Sequence, residues 1–298
     1  MSKIQEALRK LRSQGLDVKD GESRRSKSNG RKTPESVIPI ASSKKIQIVG
    51  ERFHLDQAHL IHLGLLAPLE QAIPVAGEFR RIKRPLIDNF SKNPSVGDDH
   101  LNLILVTSPL PGAGKTFCAV NLAASISLER ELSVLLVDAD VAKPHISSAF
   151  GISEKPGLID ILEDDSISID EVLIRTDLND IQVLPAGRKH TQSTELLASA
   201  RMASLMHELA TRYTDRLIIM DSPPLLVTSE AQAVAKHAGQ IALIVESGKT
   251  TNQNIEDAME LLDRDKAINV ILNKSVYSQS GSYYGGRYEN YGFNDETE

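Results

Sequence analysis

Lys115 and Thr116 close the run LILVTSPLPGAGKT, in which an aliphatic stretch from Leu103 breaks into a Pro/Gly-rich loop. Residues of these types in this order suit a polyphosphate. A buried strand delivers the chain to a turn whose backbone N–H groups face an anion, and a helix starting there aims its positive dipole end at the same point. Pro111, Gly112, Ala113, Gly114, Lys115 and Thr116 form the cradle. Lys115 reaches the β- and γ-phosphates, and the Thr116 hydroxyl sits on Mg²⁺. Pro109 stands where the motif Gly-x-x-x-x-Gly-Lys-Ser/Thr has its first glycine, so the match is incomplete. A plain turn before an ordinary helix is the competing reading. Strand, loop and helix in the required order favour a nucleoside triphosphate.

Two further apolar runs end in carboxylates. LLVDADVAKP, from Leu135 to Pro144, carries Asp138 and Asp140 at i and i+2, and LIIMDSPPLL, from Leu217 to Leu226, carries Asp221. Phosphoryl transfer needs Mg²⁺ to neutralise charge, an anionic residue to hold the metal's waters, and an acceptor for the nucleophile's proton. Asp221 suits the metal shell; Asp138 and Asp140 suit metal-water coordination and proton acceptance. One such Asp alone reads equally well as a helix cap or turn former. Three on sheet-end loops of one phosphate-binding chain do not. Pro223 and Pro224 hold the loop after Asp221 extended. Asn273, ending VILNK, could face an adenine or be a strand-end turn residue. His145 and His190 read as surface polar groups. Arg188, in PAGRK, could touch nucleotide or a neighbour and is given no role.

The elements that must position these residues alternate. Aliphatic strands at Leu101–Thr107, Ser133–Asp138, Ile181–Pro185, Leu217–Asp221, Ile241–Glu246 and Ile268–Asn273 are interleaved with helical patterns. Those patterns cover Thr116–Leu128, Gly157–Glu163, Glu195–Thr211, Ser229–His237 and Thr251–Leu262. The alternation predicts an α/β fold, a doubly wound, mostly parallel sheet of P-loop NTPase type, with ligands beyond the carboxyl ends of the strands. Upstream, Gln57–Leu69 is expected to be helical. A second helix carries Phe79, Ile82, Leu86 and Phe90 on one stripe, with Pro85 expected to kink it or mark a fresh start.

Four regions follow from this reading: 1–45, a docking helix and basic flexible linker; 46–97, a helical extension; 98–276, the nucleotide-binding domain; and 277–298, a flexible tail. Residues 3–12 place Ile4, Ala7, Leu8 and Leu11 at helical spacing, a helix for a protein or a membrane surface. The net charge of −6 conceals +7 on residues 1–45 and −13 on the rest. A basic arm on an acidic body suits an acidic surface or partner, or is a solvated linker; nucleic acid is not expected as a partner. With no run of ~18 apolar residues and no apolar leader core, the chain reads as cytoplasmic. One cysteine, Cys118, agrees with a reducing compartment and a small core residue. Of six tyrosines, five lie in the Gly/Ser-rich tail: Tyr277, Tyr283, Tyr284, Tyr288 and Tyr291.

PLPGAGKT, LLVDAD, IIMDSPP and the terminal tyrosine cluster together resemble the bacterial tyrosine kinases of capsule and exopolysaccharide synthesis, over about residues 75–298. The resemblance implies an ATP- and Mg²⁺-dependent protein-tyrosine autokinase that phosphorylates those five tail tyrosines in trans. Glu78, Arg81 and Arg84 match the family's Glu-x-x-Arg-x-x-Arg element, implying a ring-like homo-oligomer; a solvated helix face is the alternative. Ala142 departs from the family's A′ motif, where many members carry Arg; Lys143 is adjacent. DADVAKPH and the start SKIQEALRKLR are similar to the subgroup encoded beside exosortase systems. That implies a separate membrane chain-length determinant (polysaccharide co-polymerase) as activator, with the chain peripheral at the inner membrane face. The competing reading is a MinD/ParA-like positioning ATPase. Its signature lysine is replaced by Leu110, and it has no need of a tyrosine tail.

Overall fold

The computed structural model describes residues 52–92, 100–213 and 215–275. The segment 3–12, the basic stretch up to residue 45, and Tyr277, Tyr283, Tyr284, Tyr288 and Tyr291 lie outside the described residues.

In chain order the elements are α1 (Gln57–His62), α2 (Leu69–Lys92), β1 (Leu103–Thr107), α3 (Lys115–Ile126), β2 (Ser133–Asp138), α4 (His145–Ala149), α5 (Leu158–Glu163) and α6 (Ile169–Val172). There follow β3 (Ile174–Arg175), β4 (Gln182–Leu184), α7 (Ser193–Leu197), α8 (Ala200–Arg212), β5 (Arg216–Asp221), α9 (Ser229–Ala235), β6 (Gln240–Glu246), α10 (Asn252–Glu260) and β7 (Ala267–Asn273). Among the described residues one seven-stranded sheet runs β3-β4-β2-β5-β1-β6-β7. Every pairing is parallel except β3 with β4.

The strand sequences explain the layering. LILVT in β1 and RLIIMD in β5 are buried at every position, which requires helices on both sheet faces. One apolar cluster joins Leu105, Val137 and Met220 to α8 and α9 residues such as Leu205 and Val234. The other joins Ile104, Leu136 and Ile219 to Leu122 of α3 and to Leu60, Phe79, Leu86 and Ile87. The helices before residue 92 are therefore part of the same core. Phe79 meets Phe117 edge-to-face at 5.9 Å. Gln240 Nε2 donates to the Leu86 carbonyl at 3.0 Å, and Asn89 Nδ2 donates to Gln240 Oε1 at 2.9 Å.

Three expectations are corrected. Pro85 marks no fresh start, because Leu69–Lys92 is one helix with both Pro74 and Pro85 inside it. Pro85 is exposed, and packing of Phe79, Leu86 and Ile87 holds the turns on either side of it. Helix α1 stops at His62 rather than Leu69, where Gly64 turns the chain at φ +69°. The stretch 195–211 is split, because extended Ser199 ends one helix and caps the next, its hydroxyl accepting from Met202 N at 3.2 Å. Strand β3 and the short helices α4 and α6 carry too little periodicity to be foreseen.

Candidate functional site

The carboxyl ends of β1, β2 and β5 converge on the phosphate-type loop. Val106 pairs with Asp221 across β1 and β5, and Asp138 pairs with Asp221 across β2 and β5. Parallel register therefore sets Asp138 and Asp221 side by side at the sheet's edge.

The loop between β1 and α3 is held from two sides. On one side, Leu225 N donates to Ser108 O at 2.9 Å and Thr107 Oγ1 donates to Pro223 O at 2.9 Å. On the other, Asn273 Nδ2 donates to Ala113 O at 2.8 Å and Lys274 Nζ donates to Gly112 O at 2.6 Å. Lys274 and Lys249 both pair with Glu246, at 3.3 and 3.2 Å. Gly114 needs to be glycine: its φ is +90°, and a Cβ there would stand 2.3 Å from Asn273 Nδ2. Helix α3 begins at Lys115. Fixing the loop's carbonyls outward in this way leaves its N–H groups free to face an anion.

Three aspartates stand opposite. Asp138 is 0 %, Asp221 1 % and Asp140 8 % exposed. One Asp138 oxygen accepts from both Ser147 N and Ser147 Oγ at 2.7 Å, and Ser147 Oγ in turn accepts from Ala186 N at 3.0 Å. The other Asp138 oxygen and both Asp221 oxygens are buried without a hydrogen-bond partner of ordinary geometry. Burial pushes the Asp138 carboxyl up to about 7, against the pull of Ser147. Burial first, then the neighbouring Asp138, push Asp221 up to about 8; the Thr116 hydroxyl and the Lys115 charge pull the other way. Asp140 is raised by burial and drawn back by Lys143 N, which donates to Oδ1 at 3.1 Å, and by the charge of Lys115.

Orphaned buried carboxylate oxygens cost free energy unless something positive meets them. The donor set, hard oxygen ligands facing the helix start that carries Thr116, fits a divalent cation with its water shell. The cradle and the carboxylates thus fit a nucleotide and Mg²⁺ on chemistry alone.

The structure brings Pro111, Gly112, Ala113, Gly114, Lys115, Thr116, Asp138, Asp140, Asp221 and Asn273 to one end of the sheet. Asn273 there holds the loop through Ala113. Glu78, Arg81 and Arg84 stand apart, exposed along the outer face of α2. Cys118 is buried, its thiol pushed up to about 12 by burial and by nearby Asp221. Sequence reasoning missed Ser147, which orients Asp138, and the Lys249–Glu246–Lys274 cluster that holds the loop. The position of Lys274 directly after Asn273 was the one available signal for the latter.

Residues 102–275 match the family model described as an AAA domain. EpsB of Ralstonia nicotianae is 32 % identical over 203 residues, covering 66 % of this chain and 26 % of EpsB. The chain thus spans about a quarter of that relative. Tyrosine-protein kinase YwqD of Bacillus subtilis is 31 % identical over 197 residues, covering 65 % of this chain and 81 % of YwqD. The succinoglycan biosynthesis transport protein ExoP of Rhizobium meliloti is 28 % identical over 273 residues, 83 % of this chain and 34 % of ExoP. The kinase domain of the Escherichia coli tyrosine kinase ETK superposes with a TM-score of 0.51 at 28 % identity, over 61 % of this chain and 72 % of that one. With the phosphate loop, the paired strand-end aspartates and a relative matched over most of its length, the chain belongs to the bacterial tyrosine-kinase family of P-loop proteins.

Proposed function

We propose that this chain is an ATP-dependent protein-tyrosine autokinase acting on Tyr277, Tyr283, Tyr284, Tyr288 and Tyr291 of a neighbouring copy in a homo-oligomer. One observation carries the reading: three buried, unpartnered carboxylate oxygens on Asp138 and Asp221 facing the loop that carries Lys115. ATP with Mg²⁺ supplies the transferable phosphoryl group and offsets its charge. Asp138 and Asp221, with the Thr116 hydroxyl, hold the cation; Ser147 fixes the orientation of Asp138. Lys115 and the N–H groups of Pro111–Thr116 that exist (Pro111 has none) hold phosphate oxygens as charge moves to the leaving group. Asp140, the least buried of the three, takes the tyrosine proton as the tyrosine oxygen–phosphorus bond forms and the β–γ bridge breaks to release ADP. Its raised pKa makes it a better base near neutrality than an ordinary carboxylate. Asn273 adds an adenine contact while bracing the loop.

Among the described residues Glu78 and Arg81 are exposed and carry no ion pair, which suits them to a subunit contact alongside Arg84. Each phosphate adds about −1.5 to −2 charges. Several on one tail of a chain already acidic outside residues 1–45 loosen the assembly by repulsion. The name of ExoP, a succinoglycan biosynthesis transport protein, supports a role in exopolysaccharide synthesis or export. Control of polymerisation, and a membrane chain-length protein of the exosortase-associated type as activator, extend that reading on the resemblance of DADVAKPH and SKIQEALRKLR. No helix among the described residues is long and apolar enough to cross a membrane.

The test is mass spectrometry of tail peptides after incubation with ATP and Mg²⁺, wild type beside Lys115→Met. Phosphotyrosine in wild type alone is the expected result. ATP hydrolysis with unmodified tyrosines, even with the membrane partner present, overturns the proposal.

A further inference from the structure

Beyond the carboxyl ends of β2 and β4 lies an open recess of about 730 Å³, bounded by the start of α4 and the loops around 153–157 and 187–189. Its floor is fixed. The buried Asp160 carboxylate accepts from Gly157 N at 2.8 Å and Arg188 N at 3.2 Å, tying the two loops together. The two loops pack closely: a Cβ on Gly157 would fall 2.1 Å from Pro185 O, and Gly187 sits at φ +84°. Arg188 is committed, pairing with Asp160 at 3.3 Å and Glu163 at 2.5 Å.

The remaining cations are not committed. Among the described residues Lys143, Lys155 and Lys189 line the recess, are exposed, and make no ion pair; His145 joins them, and Glu154 is the one acidic residue of the lining not already paired. Outside residues 1–45 the chain carries −13, so three unpaired lysines around one preformed hollow run against the overall charge. Such a hollow recruits an anion. Its rim adjoins the reaction centre, since Lys143 N donates to Asp140 Oδ1.

We infer that this recess is an anionic subsite for the tail segment 277–298, gripping its carboxylates and, more strongly, its phosphotyrosines. The inference rests on the kinase reading and adds a substrate-positioning surface to it. Charge complementarity selects the occupant, because the segment 277–298 holds one arginine against four carboxylates and five tyrosines. Lys143 on the rim is three residues from Asp140, so a neighbouring copy's tail seated in the recess by its distal end presents its nearer tyrosines to that carboxylate. The first phosphate tightens that hold, whereas several on one tail carry more charge than three lysines offset and loosen it.

The experiment titrates a fluorescent peptide of residues 277–298, unmodified or phosphorylated at Tyr291, into the nucleotide-free full chain and reads anisotropy. The phosphopeptide is expected to bind at least ~10-fold more tightly than the unmodified one at ~50 mM salt, with the difference shrinking at ~300 mM. Lys155→Glu with Lys189→Glu should weaken phosphopeptide binding at least ~10-fold while leaving the affinity for a fluorescent ATP analogue unchanged. Lys155→Gln with Lys189→Gln serves if the charge reversal perturbs folding. Phosphopeptide affinity within ~2-fold of wild type in a folded variant overturns the subsite. So does binding of anionic phosphatidylglycerol vesicles, but not peptide, through these lysines. Peptide binding lost in the variant while wild type makes no phosphotyrosine with ATP and Mg²⁺ keeps the subsite and removes the kinase reading. Phosphotyrosine formed by a variant that binds peptide normally does the reverse.

Discussion

Replacing Asp221 by asparagine should do two opposite things, stabilising the nucleotide-free protein while removing its chemistry. In the folded chain the Asp221 carboxyl titrates near 8 instead of 3.8, because it is buried beside Asp138 with both oxygens unpartnered. At ~1.4 kcal/mol per unit, that displacement sets a ceiling of about 6 kcal/mol on the cost of ionising it in place. Asparagine keeps the shape and removes the charge, but its amide also lacks partners, at a cost of ~1–3 kcal/mol. The net gain at the upper end of the titration is about 3 kcal/mol, or ~6–12 °C in melting temperature for a domain of this size.

The sign follows from linkage. The native state holds these protons more tightly than the unfolded chain, so the stability they contribute is fully present below 3.8 and is lost as pH rises towards 8. Wild type without nucleotide should therefore weaken across that window, and Asp221→Asn should flatten the profile. Adding ATP and Mg²⁺ should bring the two proteins about level at the upper end of the window, since saturating a site at 100 times its Kd adds ~2.7 kcal/mol to wild type and little to the variant. Thermal melts of both proteins across the window, with and without ATP and Mg²⁺, check each part. A variant that melts below wild type without nucleotide at every pH refutes the reasoning, as does a wild type whose profile is flat.

Gly114→Ala should cost ~1–3 kcal/mol and weaken ATP binding, measured by denaturation and calorimetry, because the new methyl meets Asn273 at a positive φ. Leu86→Ala, fully buried between α2 and the sheet, should cost ~2–5 kcal/mol in urea unfolding. Arg81→Ala with Arg84→Ala should stay within ~0.5 kcal/mol of wild type yet shift sedimentation towards smaller species. Cys118 should resist iodoacetamide in the native protein and react only on unfolding, given its burial and a thiol pushed up to about 12.

What the sequence made legible was chemistry with a local signature. The phosphate loop, the strand-end aspartates and the β/α alternation each announce themselves within about ten residues, because strand, turn and helix are short-range structures. The apolar stripe of α2 was legible too, but its continuity was not. Pro85 breaks helices by a local rule, and packing of Leu86 and Ile87 onto the sheet, far away in sequence, overrides it. The electrostatics of the site were hidden for the same reason. Nothing local says that Asp138 will stand beside Asp221; that follows from β2 and β5 being neighbours in parallel register. Nor does it say that Ser147 will satisfy one of their four oxygens and leave three bare. Side by side and dry, two carboxylates repel and lack solvation, so without a cation the fold holds them only by raising their pKa values. A cation relieves both penalties at once. The same register that strains the protein without nucleotide therefore couples metal binding to stability, and that coupling is what the Asp221→Asn melts read.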